Sequence, residues 1–127
     1  MCKGIGLDLC EISRMDHLRM MTRFTERYFT EGERAYIQSK GKNASQTMAG
    51  LFAAKEAFAK AVGRGIDFDL REVEIVHDDM GRPGYCLHGS VLERTKGERF
   101  SLSISHDGGI AGAVCLREDD EDAVTRA

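Results

Sequence analysis

The chain has 127 residues, 42% hydrophobic and 31% charged, which is typical of one soluble domain with a single core. Its net charge of −3 argues against nucleic acid as the main partner. The sequence contains no apolar run long enough to cross a bilayer, and Asp8 and Glu11 interrupt the N-terminal apolar stretch, unlike a signal peptide. We therefore expect a cytosolic protein that binds neither nucleic acid nor membrane.

The first predicted element is a strand over residues 3–12. One face carries Ile5, Leu7 and Leu9, and the other carries Gly4, Gly6, Asp8 and Cys10, the two-residue period of a half-buried strand. Glycine inside a strand often marks the close approach of another backbone or of a ligand. Asp8, on the glycine face, is therefore either a site residue or an ordinary aspartate facing solvent.

A basic helix is predicted next, capped by Ser13 and continuing through Phe24. Arginines alternate with methionines and an aromatic residue along it: Arg14, Met15, Arg19, Met20, Met21, Arg23, Phe24 and Arg27. This pattern suits an acidic helical partner, and the alternative is an ordinary solvated amphipathic helix. Thr30 and Glu33 then form the capping box of a second short helix that ends at Ser39.

The longest predicted helix begins at Asn43, with Gln46 at the spacing of a capping box, and ends at Gly63. Glu56 and Lys60 lie one turn apart, and on their own they indicate no more than a surface ion pair. Alanines surround them, however, and Arg64 follows between Gly63 and Gly65. These neighbours favour a ligand site on this helix.

The C-terminal half predicts strands. Residues 73–77 and 83–87 form a hairpin that turns at 79–81, a short helix covers 90–95, and a second hairpin joins residues 100–107 to 110–116. His106, at a strand end, is either a contact for phosphate or ribose or an ordinary turn histidine. The domain is expected to span residues 1–117, followed by an acidic, mobile tail over residues 118–127.

The remaining histidines and the cysteines carry no predicted chemistry. His17, His77 and His88 have no evident acidic or cysteine neighbours at ligand spacing, so we interpret them as structural or solvent-exposed. The four cysteines, Cys2, Cys10, Cys86 and Cys115, form no CxxC pair. In a cytosolic protein such thiols are more often small buried hydrophobic residues than disulfides or metal ligands.

If Asp8 and Glu56 converge, their carboxylates make an all-oxygen site that suits Mg²⁺, an ion usually completed by substrate phosphates. Lys60, one turn from Glu56, would then contact phosphate. The glycines around Arg64 match neither the P-loop nor the Rossmann pattern. Nucleotide binding through either of those folds is therefore unsupported.

Three strings in order, GIGLDLCEISR at 4–14, FAAKEAFAKAVGRG at 52–65 and LSISHD at 102–107, resemble the holo-[acyl carrier protein] synthases. These are the small, single-domain 4′-phosphopantetheinyl transferases. The resemblance implies an α+β fold with a long helix packed on an antiparallel sheet. It also implies transfer of phosphopantetheine from coenzyme A to a serine of apo-acyl carrier protein, in fatty acid biosynthesis. By the same resemblance, we expect a homotrimer with active sites between neighbouring subunits.

The resemblance also implies roles for single residues. Asp8 and Glu56 would bind Mg²⁺, Lys60 would neutralise phosphate, and the base for the carrier serine is either Glu56 or a metal-ordered water. Positions that line the coenzyme site are Lys55, Gly63, Gly65, Arg82, Pro83 and His106. Positions that receive the acidic helix of the carrier protein are Arg14, Arg19, Arg23 and Phe24.

Leu51 departs from the family pattern, in which arginine often precedes the FAAKE string. Our hypothesis is that Arg64 supplies the missing charge. If so, Arg64→Ala should change the Michaelis constant for coenzyme A.

Two other functions stay open at the level of sequence. A metal-dependent nucleotide hydrolase using the same carboxylates would turn over without a carrier protein. A non-catalytic module that binds an acidic helix would keep its function when Asp8 or Glu56 loses its charge.

Overall fold

The computed structural model describes residues 1–63 and 67–120. Its helices are α1 (Ile12–Leu18), α2 (Thr22–Tyr28), α3 (Glu31–Ser39), α4 (Ala44–Val62) and α5 (Gly89–Arg94). Its strands are β1 (Cys2–Glu11), β2 (Val73–His77), β3 (Pro83–Leu87), β4 (Glu98–Asp107) and β5 (Ile110–Asp119). Single 3₁₀ turns at Gly41–Asn43 and Leu70–Glu72 precede α4 and β2. This content is α+β, as predicted.

Both sheets are antiparallel. The larger has the strand order β1-β5-β4, so β1 and β4 form its two edges, and the smaller is the β2–β3 hairpin. Helix α4 packs across one face of the larger sheet, and its inward residues, including Met48, Ala53 and Phe58, form the centre of the core. The predicted long helix on an antiparallel sheet is confirmed.

Strand β1 is half-buried as predicted, and the buried half is its glycine face. A Cβ atom on Gly6 would overlap the carbonyl of Ala57, and one on Gly4 would overlap that of Ala61. The glycines therefore let the strand approach the backbone of α4 directly. The bulky face points outward instead, where Ile5, Leu7 and Leu9 are 64%, 60% and 67% exposed.

The outward face of the larger sheet is apolar on two of its three strands. Residues paired across an antiparallel ladder point to the same side. Leu7 therefore lies beside Val114, which lies beside Ser103. The neighbouring rows are Ile5, Leu116 and Ser101, and Leu9, Gly112 and Ser105.

Local signals for the helix ends are partly correct. The Thr30–Glu33 capping box is present, with Glu33 N donating to Thr30 Oγ1 over 3.1 Å and Thr30 N donating to Glu33 Oε1 over 2.8 Å. Gly63 ends α4 at φ 85°, a left-handed conformation that suits glycine. The capping box predicted at Asn43 is wrong. Its backbone, at φ −96° and ψ 11°, continues the preceding 3₁₀ turn, and its side chain makes no capping hydrogen bond.

The predicted helix over 13–24 is two helices. The chain leaves α1 at Arg19 and enters α2 at Thr22, and Glu11 occupies the N-cap position of α1 in place of Ser13. Buried Met15 anchors the first helix, and Phe24 packs in an aromatic group from the second. The break between them lets each helix place an apolar residue against the body of the domain.

The predicted boundary of the acidic tail is wrong. Glu118 and Asp119 belong to β5, where Glu118 pairs with Cys2 and Arg99, and Asp119 pairs with Glu98. Asp120 follows the strand, and residues 121–127 lie outside the described residues. None of the helices in the described residues is both long and apolar enough to span a bilayer. The cytosolic location stays a prediction.

Candidate active site

Asp8 and Lys60 meet where β1 crosses α4. Lys60 Nζ donates to Asp8 Oδ1 and to the backbone oxygen of Leu7, both over 3.0 Å. The Asp8 side chain is 17% exposed and that of Lys60 is 55% exposed, so the pair lies at the surface. The contact depends on the glycines of β1, because a side chain at Gly6 would hold the strand away from the helix.

Glu56 completes the group, one turn before Lys60 on α4. Partial burial raises the pKa of Glu56, and the nearby charge of Asp8 raises it further, while Lys60 acts in the opposite direction. Burial also raises the pKa of the Cys10 thiol, and the charges of Asp8 and Glu56 raise it further. Two carboxylates and one ammonium group thus share one edge of the domain, an arrangement that the residues alone had left conditional on Asp8 and Glu56 converging.

The chemistry of this group fits a hard divalent cation. Asp8 and Glu56 offer only oxygen ligands, and after burial the charge of Asp8 is the second cause that raises the pKa of Glu56. A cation such as Mg²⁺ would relieve that repulsion and would keep positions free for water or phosphate oxygens. These two residues could hold the ion.

A second region of interest lies at the opposite edge of the sheet. A cleft of about 320 Å³ opens beside β4. It is lined by residues of α3, α4, both hairpins and the β2–β3 turn: Tyr36, Gln46, Thr47, Gly50, Leu51, His77, Gly81, Pro83, Ile104 and His106. Gln46 and His106 are within hydrogen-bond distance across its mouth, Nε2 to Nε2 3.1 Å. Two of the predicted coenzyme contacts, Pro83 and His106, therefore share one cleft, and Leu51 lines it too.

The two regions do not meet within one chain. Asp8 lies on β1 and His106 on β4, with β5 between them. Gln46, the partner of His106, and Glu56 are ten residues apart on α4, a rise of about 15 Å. The structure thus brings Asp8, Glu56 and Lys60 together and places His106 elsewhere.

Lys55 corrects one expectation, because it does not line a coenzyme site. It is fully buried, and its Nζ is bonded to Glu33 Oε1 at 2.8 Å, to Leu70 O at 2.7 Å and to Val73 O at 2.9 Å. Burial lowers the pKa of Lys55, although Glu33 acts against that shift. With three internal partners and no exposed surface, Lys55 is a core residue that ties α4 to α3 and β2.

Two other predicted coenzyme contacts, Gly63 and Arg82, are at the surface. Gly63 is exposed at the end of α4, while Arg64 and Gly65 lie outside the described residues. Arg82 is in the β2–β3 turn, where its Nε donates to Asp78 Oδ2 over 3.0 Å and most of its side chain is exposed. Arg82 is a neighbour of the cleft but is not among the residues that line it.

The predicted partner-binding residues lie along α1 and α2. Arg14, Arg19 and Arg23 are exposed, and Arg19 Nε donates to Ser45 Oγ at the start of α4 over 2.9 Å. Phe24 is half-buried and packs on Tyr28 with ring centroids 4.7 Å apart. A basic, partly apolar surface therefore exists, and Arg23 and Phe24 line one groove of it.

Sequence reasoning missed the aromatic wall of the cleft. His77 stacks on Tyr36 with ring centroids 4.3 Å apart, and Lys40 lies 4.6 Å from the centre of the Tyr36 ring. Burial, followed by the charge of Lys40, lowers the pKa of His77. These residues come from α3, its C-terminal end and β2, and no spacing in the sequence links them.

The expectations for cysteine and histidine are right in part. Cys10 and Cys115 are buried as predicted, whereas Cys2 and Cys86 are exposed. His88 is exposed, as expected, but it does have acidic and cysteine neighbours in the fold, because its ring lies beside Glu74 and Cys86. The hairpin register, which brings Glu74 opposite Cys86, was not visible in the sequence.

Residues 4–115 match the family model of the 4′-phosphopantetheinyl transferase superfamily. The chain belongs to this superfamily. A holo-[acyl-carrier-protein] synthase of Caldicellulosiruptor saccharolyticus is 39% identical over 93% of this chain and 98% of its own length. The crystal structure of the Neisseria meningitidis synthase matches with a TM-score of 0.83 and 34% identity, covering 94% of this transferase and all of that chain.

A structure that contains coenzyme A also resembles this transferase. The Helicobacter pylori holo-[acyl-carrier-protein] synthase in complex with coenzyme A has a TM-score of 0.79 and 30% identity, covering 90% of this chain and 99% of that one. The fold and the family predicted from the three sequence strings are thereby confirmed.

Proposed function

We propose that this transferase moves the 4′-phosphopantetheine group of coenzyme A onto a serine of apo-acyl carrier protein, with Mg²⁺ as the required ion. The product besides holo-acyl carrier protein is adenosine 3′,5′-bisphosphate, and the pathway is fatty acid biosynthesis. The observation that carries the proposal is the group of Asp8, Glu56 and Lys60 on one edge of the sheet. The names of the relatives support it.

The reaction forms a bond between the serine Oγ and the phosphorus next to pantetheine. It breaks the bond from that phosphorus to the bridging oxygen of the pyrophosphate, which leaves with adenosine 3′,5′-bisphosphate. The serine proton needs an acceptor, and we assign this role to Glu56. A carboxylate within hydrogen-bond reach of the serine hydroxyl can act as that general base.

Lys60 contributes positive charge at the same place. Its ammonium group is held between Asp8 and the carbonyl of Leu7 and is more than half exposed, so an incoming phosphate can reach it. A fixed cation near the leaving oxygen stabilises the negative charge that develops there. Asp8 positions Lys60 by accepting its hydrogen bond.

Asp8 and Glu56 are also the residues that would hold Mg²⁺. The ion, when bound, supplies charge neutralisation for the pyrophosphate of the substrate.

We further propose that the enzyme is a homotrimer whose active sites lie between neighbouring subunits. The carboxylate group and the cleft with His106 are on opposite edges of one sheet, so contact between different copies could join them. The outward face with Ile5, Leu7 and Leu9 gives such copies an apolar surface to bury. In this arrangement Pro83 and His106 of one subunit bind coenzyme A near Asp8 and Glu56 of the next.

The acceptor in this proposal docks on the basic surface formed by Arg14, Arg19, Arg23 and Phe24. Exposed arginines on two short helices suit an acidic helix, and the half-buried ring of Phe24 adds an apolar contact.

The reaction is tested by the intact mass of an apo-acyl carrier protein incubated with the enzyme, coenzyme A and Mg²⁺. We expect the mass to rise by one phosphopantetheine unit. The gain should disappear with EDTA, with the Glu56→Gln enzyme and with a carrier whose acceptor serine is alanine. Cleavage of coenzyme A without any carrier would support the hydrolase instead. No mass gain with several carriers, despite a folded enzyme, would reject the transferase activity.

The shared site is tested by complementation. We expect Asp8→Asn and His106→Ala to be weakly active alone, and activity to return when the two variants are mixed under conditions that allow subunit exchange. Mixed oligomers form sites in which one copy supplies an intact carboxylate group and its neighbour an intact His106. If native mass spectrometry shows mixed oligomers while activity stays low, each site is built from one chain.

A further inference from the structure

Three residues with metal-binding side chains meet on the β2–β3 hairpin, away from the carboxylate group of the proposed active site. They are Glu74, Cys86 and His88, and one ligand atom from each lies within 4.8 Å of the other two. None of them has a part in the proposed transfer reaction. Their side-chain chemistry also differs from that of Asp8 and Glu56. The proposed active site offers two carboxylates, whereas this group offers one carboxylate, one thiol and one imidazole.

The hairpin register places the three side chains on one face. Glu74 and Cys86 are direct partners across the antiparallel ladder, so their side chains point to the same side. His88 lies two residues beyond Cys86, and its extended backbone (φ −132°, ψ 163°) keeps the two-residue alternation. The ladder also continues there, since His88 N donates to the carbonyl of Glu72 over 2.9 Å. Regular strand pairing therefore pre-forms the group.

Neighbouring groups already orient the carboxylate. Glu74 Oε2 accepts from Thr30 Oγ1 over 2.7 Å, and Glu74 Oε1 lies 2.9 Å from His88 Nε2. A carboxylate fixed by a second hydrogen bond is the usual setting of a metal ligand. Both Cys86 and His88 are exposed, so an ion can reach them.

We propose that Glu74, Cys86 and His88 bind Zn²⁺ through one sulfur, one nitrogen and one oxygen. This donor set suits a borderline-soft ion with four ligands, in which water takes the remaining position. It does not suit Mg²⁺, which prefers oxygen ligands only. Binding replaces the hydrogen bond between His88 and Glu74, and the proton of the Cys86 thiol passes to solvent.

The bound ion would cross-link the hairpin, because its ligands come from β2 and from the end of β3. Glu74 also accepts a hydrogen bond from the hydroxyl of Thr30, the N-cap of α3, so the ion would stabilise that contact as well. The proposal is independent of the transferase activity, because its residues lie outside the site assigned to that reaction.

The test is a Co²⁺ titration of the reduced, metal-stripped full chain, followed by absorbance. Excess Mg²⁺ occupies the Asp8–Glu56 group and leaves the thiolate-containing site to Co²⁺. We expect a thiolate-to-cobalt charge-transfer band that saturates at one equivalent and disappears when Zn²⁺ is added. Zn²⁺ should also raise the melting temperature of the protein.

Variants assign the band to Cys86 and His88. Cys86→Ser should abolish it, and His88→Gln should weaken Co²⁺ binding by at least about 10-fold. Cys2→Ser is the matched control, because it removes the other exposed thiol, and it should leave the titration unchanged. Circular dichroism checks that each variant is folded.

Three results would overturn the proposal: no charge-transfer band in the wild type, a band that survives Cys86→Ser, or a band that is lost in Cys2→Ser. In the first case, Glu74 and His88 form a hydrogen-bonded pair only. If Cys86→Ser fails to fold, the His88→Gln variant decides, because an unchanged Co²⁺ affinity there contradicts a site that contains the imidazole.

Discussion

Lys55 and Glu56 are adjacent on α4, yet they belong to two different charged groups. Lys55 is fully buried and bonded to Glu33 and to two backbone carbonyls. Glu56 lies near the surface with Asp8 and Lys60. Consecutive residues of an α-helix point about 100° apart, which is enough to place one in the core and the other at the edge of the sheet.

The comparison shows how burial decides what a lysine–carboxylate group does. In the Lys55 group every charge has a protein partner, and the described residues contain no buried side-chain nitrogen or oxygen without one. Removing a single member leaves the opposite charge buried without a partner, which destabilises the fold. The Lys60 group lies at the surface, so removing one of its charges costs little folding stability. Its charged side chains can also leave their protein partners to contact the substrate.

The largest expected effect is on the buried group. Lys55→Met should destabilise the fold by about 3–5 kcal/mol, because the carboxylate of Glu33 loses its counter-ion while staying buried. Chemical denaturation measures the loss. Lys60→Met is the matched control, as it makes the same change five residues further along α4 at the surface, and we expect near-normal stability with reduced transferase activity.

The double variant Glu33→Gln, Lys55→Met sharpens this test. It should recover part of the lost stability, since it removes both buried charges. Equal destabilisation by Lys55→Met and Lys60→Met would contradict the distinction between the two groups.

The next effect is on catalysis. Asp8→Asn should lower the rate of phosphopantetheine transfer by at least about 100-fold, because the site loses one carboxylate that would hold Mg²⁺ and the charge that positions Lys60. Steady-state kinetics measure the transfer rate, and a melting curve measures the thermal stability. Asp16→Asn, an exposed aspartate on α1, is the control. A folded Asp8→Asn enzyme with near-normal turnover would remove Asp8 from the site.

The smallest expected effect is on proton binding. In the metal-free protein, NMR titration should find the pKa of Glu56 above its ordinary value of 4.5, and Asp8→Asn should lower it, because a like charge is removed. The folded state then binds the proton more tightly than the unfolded state. The contribution of Glu56 to stability therefore falls as pH rises from 4.5 through the raised pKa.

Glu56→Gln should remove this pH dependence and make the protein slightly more stable at neutral pH, while it abolishes transfer. A pKa of Glu56 that does not respond to Asp8→Asn would mean that the two carboxylates do not share a site.

Local signals in the sequence were sufficient for much of the fold. The capping box at Thr30, the stop at Gly63 and the alternation in β4 depend on residues a few positions apart, so their physics is contained in the spacing. The three motif strings likewise pointed to the family and to the pairing of Asp8 with Glu56. The register of the β2–β3 hairpin could not be found in this way. The pairing of Glu74 with Cys86 joins two strands and does not follow from the spacing within either one.

The sequence by itself determined the order of the strands, the family and the residue types of the carboxylate group. Only the tertiary structure decided which side of each element is buried. Gly6 and its neighbours turn the small face of β1 inward because two backbones can then touch, which leaves Leu7 outside. The same packing sends Lys55 into the core and Glu56 to the edge. Such choices depend on contacts between distant residues, and these contacts form only when the whole chain is packed.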